Sequence, residues 1–397
     1  MQDFLLNDED RAFRAEVKAF LNRELFPVAP AIEDRQDREA VKRVVRSLGE
    51  AGYLKLMFPE LYQGSLSRPG LTHATLLSEE AAAINYAFET TIATALSCAY
   101  PLHRYASPEV RDRYLQGIID GSEIGAICVT EPKVGSDSAR METRISFDQG
   151  RNEYVINGFK RYISNASKAD TYIVYGISDP EVPAQKGMSA VIVPKETSGM
   201  SFPRTYTFMG RRGCVVGEVE FRDCRVPVDH LLGSLNEGFR IMLSMFNFER
   251  IILGGSGLGV ARSAFAIARE HAQRRESFGQ KLGCKQLIWD LIAEMSWRID
   301  AAELLTYRAA RLYDAGELKP KELMKPASMA KLVSTEVATY CADRCVQILG
   351  GDGLTKEYGR AEQLYRDARA LPIVGGTNEM VKYLIASCDL PEIKPNL

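Results

Sequence analysis

The chain has 397 residues, 46% of them apolar and 26% charged, with a formal net charge of −2. That length exceeds one hydrophobic core and predicts two or three lobes. The near-neutral balance speaks against a polyanion-binding surface, and no window offers the roughly 18 uninterrupted apolar residues of a membrane span.

The N-terminal stretch has helical spacing. Phe4, Leu5, Phe13, Val17, Phe20 and Leu21 recur on one face, and Asn7 or Asp8 offers a cap. Its acidic start lacks the basic leader of a secretory signal and the acid-poor texture of a transit peptide. The helical pattern continues to about Gly121, with breaks expected at Pro59, at 63–70 and at Pro101. LLSEEAAAINYAFETTIATALSCAY reads as one run of small apolar residues packed closely on its neighbours.

From about 124 to 227 the texture changes. EYVINGFKRYIS, TYIVYGIS, SAVIVPK and GEVEFRDCRVP are short alternating runs between Gly, Asn, Asp and Pro. They read as antiparallel strands. From about 236 the helical period returns in runs long enough for a four-helix bundle, a natural oligomer interface. The expected fold is mostly α with a central β-barrel or sandwich. Its domains are helical over 1–123, β over 124–234 and a helical bundle over 235–397.

Several chemistries find no support. The eight cysteines are scattered without a CxxC pair, which predicts free thiols in a reducing, cytoplasmic compartment. The four histidines are far apart in sequence, so no metal site is expected, and no GxSxG elbow is present. ILGGSGLGVA at 251–260 does not fit GxGxxG and follows a helix. It predicts close helix packing through small residues.

Three segments are more informative, though each alone fits an ordinary turn or helix end. ICVTEPKVGSDSA at 127–139 can offer hydroxyls and backbone N–H groups to a ligand. HAQRRESFGQKLGCKQ at 271–286 ends a helix on arginines suited to a pyrophosphate. YRDARALPIVGGTNEM at 365–380 places two glycines between helices.

Their joint order resembles the acyl-CoA dehydrogenase family over essentially the whole chain. The matching strings are CVTEP and GSD at 128–137, RxxFGQ at 275–280, QILGGDG at 347–353, YRDAR at 365–369 and GGTNE at 375–379. The resemblance implies FAD between the β-domain and the C-terminal helices, its adenine end reaching a neighbouring subunit of a homotetramer. It implies an acyl-CoA or acyl-carrier-protein thioester as substrate and an electron-transferring flavoprotein as electron acceptor, with no nucleic acid partner.

Carried over by motif position, Ile127, Val129, Thr130 and Ser136 line the flavin, Ser136 also on the substrate side. Tyr162 and Ser164 resemble the family's aromatic-x-hydroxyl contacts. Arg275, Phe278 and Gln286 serve the partner's FAD, near Gln347, Gly350 and Gly351. Thr377 and Glu379 close over the dinucleotide. Glu379 departs from the frequent Gln, and Cys214 and Val216 replace hydroxyls of an Arg-x-Ser-x-Thr string.

The chemistry needs a carboxylate to take the α-proton and donors to hold the thioester oxygen. Many members carry that carboxylate where this chain has Gly375, and a glycine cannot abstract a proton. A minority use Glu on the FxxER helix, which here is MFNFERIIL with Glu249. Glu249 is therefore the expected base. The plain alternative is a surface Glu–Arg neighbour pair. Gly375 keeps a role through its backbone N–H, and Asn247, Arg250 and Gly376 join the substrate side.

Glu89 borders the acyl tail in the family. It reads either as a solvated helix-face charge or as a carboxylate facing a cationic or hydroxylated tip. The implied reaction is α,β-dehydrogenation. The alternatives are an enoyl-CoA reductase, a dehydrogenase of a carrier-bound (amino)acyl group, or a non-catalytic flavoprotein.

Overall fold

The computed structural model describes residues 6–390 and 392. Phe4 and Leu5, expected on the first helical face, lie outside the described residues. The chain opens with α1 (Asp8–Glu24), α2 (Ala29–Arg35), α3 (Arg38–Glu50), α4 (Leu71–Ile84), α5 (Tyr86–Tyr105) and α6 (Pro108–Ile119). Asn7 caps α1, and Asp10 returns the hydrogen bond to the Asn7 N–H.

Two expectations are corrected here. The run through Ile84 and Tyr86 is two helices. Asn85 leaves helical geometry (φ −154°, ψ 106°), and its side chain accepts the Phe88 N–H as a new cap. Pro101 does not end α5, which continues to Tyr105. Tyr100, Pro101 and Leu102 are all buried, and that packing outweighs the one missing backbone bond.

The middle region holds β1 (Gly125–Cys128), β2 (Arg144–Asp148), β3 (Glu153–Ser164), β4 (Thr171–Ile177), a short α7 (Ala184–Gly187), β5 (Met188–Pro194), β6 (Met200–Ser201) and β7 (Val216–Pro227). The sheet order is β1-β4-β2-β3-β7-β6, with β5 on β4. Most pairs are antiparallel, as the alternation predicts. Two are not: β1 runs parallel to β4 from Gly125–Thr171 to Cys128–Val174, and β2 meets β4 in parallel at Arg144–Ile177. The β2–β3 hairpin lies inside that crossover. Each residue of β4 is buried, which explains its unbroken TYIVYGI.

The remainder is α8 (Gly238–Arg274), a small hairpin of β8 (Glu276–Ser277) and β9 (Gln280–Lys281), α9 (Gln286–Ala315), α10 (Pro320–Leu349), α11 (Ala361–Ala368) and α12 (Asn378–Asp389). By length and composition α8 could cross a membrane, yet it is mostly buried inside the protein. Its glycines pack as expected. A Cβ on Gly259 would lie 2.1 Å from the Glu79 carbonyl oxygen of α4, and one on Gly257 2.8 Å from that of Ser334 on α10. The spine of the molecule is therefore α8, wedged between α4 and α10.

Candidate active site

Glu249 stands midway along the first half of α8, one residue before Arg250. It is not a surface ion-pair residue. Glu249 is half-buried, and no carboxylate-to-Arg250 bridge forms among the described residues. Burial raises its pKa, and Arg250, Lys331 and Arg211 only partly oppose that rise. A half-buried, unengaged carboxylate with a raised pKa suits a proton acceptor.

Facing it is the turn between α11 and α12. Gly375 (φ +65°) and Gly376 (φ +92°) both occupy the left-handed half of the map, which favours glycine. A Cβ on Gly375 would sit 4.0 Å from Glu249 Oε1 and 2.4 Å from Leu253 Cδ1. Glu249 thus reaches the space that a side chain at 375 would enter. Two cations hold the turn. Arg250 Nε donates to the Gly375 carbonyl at 3.4 Å, and Lys331 Nζ to the Gly376 carbonyl at 2.8 Å. Lys331 also donates to Asn378 Oδ1 at 2.8 Å. Burial pushes its amine down to about 7, and it pushes Arg250 down to about 10. Thr377 caps α12 by accepting the Met380 N–H, while Glu379 points to solvent.

The β-domain supplies a second wall. A bulge between Lys160 and Ile163 breaks the β3–β7 register. Tyr162 takes φ +58° there and is thrust outward, where it packs against Tyr206 at 5.0 Å between ring centroids. Ser164 follows at the strand end. The expected loop after β1 is pinned beneath this wall. Lys160, fully buried, donates to Glu131 Oε1 at 2.8 Å and to the Val129 carbonyl at 3.2 Å. Glu131 also accepts the N–H groups of Glu142 and Thr143. The Arg161 N–H closes onto the Thr130 carbonyl at 2.8 Å. Ile127, Val129 and Thr130 are half-buried at this edge, and Ser136 is exposed in the following turn.

Glu89 is buried rather than solvated, at 1% exposure. Ser78 and Ser256 donate to its Oε1 at 2.5 and 2.8 Å, and Oε2 has no partner. Burial pushes its carboxyl up to about 7. Asn247 is engaged elsewhere: its amide donates to the Pro320 carbonyl at 2.7 Å.

The remaining expected contacts form a separate group. Arg275, Phe278, Gln286, Gln347, Gly350 and Gly351 are all exposed, and Phe278 stands 95% clear of the chain. Asp352, beside the second glycine pair, lies close enough to His271 near the end of α8 to favour its charge. A Cβ on Gly350 or Gly351 would meet nothing within 4 Å. That open backbone can admit a pyrophosphate, and the charge of Arg275, exposed at the end of α8, suits one. Together with the aromatic and hydroxyl wall of β3, the donors present fit FAD.

Sequence reasoning missed Lys160, Lys331 and Arg211. A lone lysine on the apolar face of ASMAKLVS was a readable signal for Lys331. Arg211 carries none, because its role depends on contacts distant in sequence.

Models of the acyl-CoA dehydrogenase N-terminal, middle and C-terminal domains match residues 7–122, 126–224 and 236–388. A probable acyl-CoA dehydrogenase, YngJ of Bacillus subtilis (strain 168), is 33% identical over 97% of this chain and 98% of its own. An acryloyl-CoA reductase (NADH) of Anaerotignum propionicum is 33% identical over 97% of this chain and 95% of its own. The structure of butyryl-CoA dehydrogenase from Megasphaera elsdenii matches with a TM-score of 0.91 at 28% identity, covering 98% of this chain and 100% of that one.

Proposed function

The chain belongs to the acyl-CoA dehydrogenase family, and on that premise we propose that Glu249 is its catalytic base. The protein is an FAD-dependent acyl-CoA dehydrogenase, an oxidoreductase acting on a CH–CH bond. The observation carrying the base assignment is the 4.0 Å between Glu249 Oε1 and the Cβ position of Gly375. The carboxylate comes from α8 into the place where the turn has no side chain.

When bound, FAD accepts the hydride from Cβ and passes two electrons onward. Glu249 takes the proton from Cα. The N–H groups of the Gly375–Gly376 turn hold the thioester oxygen, and Arg250 and Lys331 fix that turn through its carbonyls. Tyr162, Ser164 and Thr130 would hold the flavin ring, and Ser136 would lie on its substrate side.

Glu89 closes the far end of the acyl path. Ser256, its donor, lies seven residues beyond Glu249 on α8, two turns or about 10 Å along the axis. A tail of that reach meets a polar floor suited to a hydroxylated or cationic tip. Arg275, Phe278, Gln286, Gln347, Gly350 and Gly351 serve the adenosine end across a subunit boundary. Leu287, Trp289, Trp297 and Leu304 expose apolar surface along α9, which a homotetramer buries. Electrons leave to an electron-transferring flavoprotein. The scattered cysteines suit a cytoplasmic setting.

The acryloyl-CoA reductase relative favours a second reading, in which the same residues saturate an enoyl thioester. Anaerobic titration of the reduced protein with enoyl thioesters separates the directions. For the base, Glu249→Gln is expected to keep yellow colour and lose turnover; near-normal turnover refutes the assignment.

A further inference from the structure

Arg211 is a buried charge that makes no hydrogen bond or ion pair with the base or the turn. Its side chain is 4% exposed. The backbone sits at φ +57°, uncommon for so large a residue, and the Asp367 carboxylate accepts its N–H at 2.6 Å. Nη2 donates to Ser164 Oγ at 3.0 Å, and Cζ lies 5.9 Å from the Tyr86 ring centroid. Nε has no hydrogen-bond partner. Among the described residues no carboxylate comes within ion-pair distance of this guanidinium. Burial opposes its charge, but Tyr86, Cys214 and Glu89 favour it, and its pKa lies above the ordinary range. A guanidinium kept charged in the interior without an anion is expensive unless negative charge arrives there.

We propose that Arg211 is the electrostatic partner of the reduced flavin, reached across Ser164, and that it biases this site toward withdrawing electrons from an acyl thioester. The inference rests on Ser164 facing the ring, as proposed above. The balance is simple. The thioester loses a proton from Cα to Glu249 and a hydride, carrying two electrons, from Cβ to the flavin; an α,β-enoyl thioester remains. The flavin side gains negative charge, and a nearby fixed cation stabilises it. A terminal carboxylate on the acyl tail is the rival anion. Glu89 shares that neighbourhood and disfavours it.

The test is the two-electron midpoint potential of the purified FAD-loaded protein, read against a redox dye, with sulfite affinity as a second readout of positive charge near the ring. Arg211→Gln should lower the reduction equilibrium constant at least tenfold, about 30 mV for two electrons. It should weaken sulfite binding in parallel, and Arg211→Lys should restore most of both. An unchanged potential in Arg211→Gln with FAD retained overturns the proposal. If that variant fails to hold FAD, the wild-type protein decides: a potential at or below that of free FAD in the same buffer overturns it, and one above supports it. Selectivity for carboxylate-tailed thioesters that vanishes in Arg211→Gln, with the potential unmoved, assigns the charge to the tail and also overturns it. Glu249→Gln should leave the potential within twofold in equilibrium constant, so a wrong base and a wrong Arg211 assignment are told apart.

Discussion

Two carboxylates, Glu89 buried on α5 and Glu249 half-buried on α8, differ in their surroundings. Glu89 is gripped by Ser78 and Ser256. Glu249 is gripped by nothing and faces a side-chain-free turn. Burial raises both pKa values. A raised pKa therefore does not by itself single out Glu249 as the proposed base; its lack of hydrogen-bond partners does. Glu89 is held in place, while Glu249 has no hydrogen bond to give up on taking a proton.

That contrast can be broken in order of expected effect. Glu249→Gln should reduce kcat by about 10²–10⁴-fold, the usual worth of a positioned base. Glu89→Gln should reduce it far less, measured on the same thioester. Lys331→Met should come next, with kcat falling on the order of 10²-fold at nearly constant KM, because the donors on the turn lose their anchor. An equal loss in KM and kcat indicates a collapsed site instead.

Glu89 should show itself in stability. Its carboxyl titrates near 7 in the folded protein, above its unfolded value, so the folded state holds the extra proton between those values. Stability then falls as pH rises through that window, by on the order of 3 kcal/mol. Chemical denaturation at several pH values should show this slope in the wild type and a flatter profile in Glu89→Gln. The smallest effect belongs to the Glu249 acid limb. Protonated Glu249 cannot accept a proton, so kcat/KM should fall tenfold per pH unit below its raised pKa and level off above it. A limb at the ordinary carboxylate value, about 4.3, contradicts the burial.

Much of the architecture was legible because it rests on local pattern. Period 3.6 and period 2 stretches fell where the helices and strands lie, and the glycines of 251–260 pack as helix contacts. The failures are tertiary. Pro101 stays helical because its surroundings are buried, and Asn85 splits one apolar run because its side chain is a better cap than a helix interior residue. β1 pairs in parallel with β4 through a crossover that alternation cannot reveal. At the site, motif order located Glu249 and the glycine turn. It could not show that Glu89 is buried, that Lys160 pins the β1 loop, or that Arg211 reaches Ser164. Each of those depends on segments tens of residues apart or more.

Leu253 gives the glycine at 375 a history-like consequence. Its Cδ1 fills the volume any side chain at 375 needs, and the turn's positive φ strains such a side chain further. A carboxylate at 375 is therefore not a free exchange: Leu253 has to turn aside, and the backbone has to carry a side chain at positive φ. Gly375→Glu alone should meet Leu253, and Glu249→Gly alone should leave no base. On the proposed assignment, the place of the proton acceptor is tied to a neighbour that takes no part in the reaction, so change along this route asks Leu253 to repack as well.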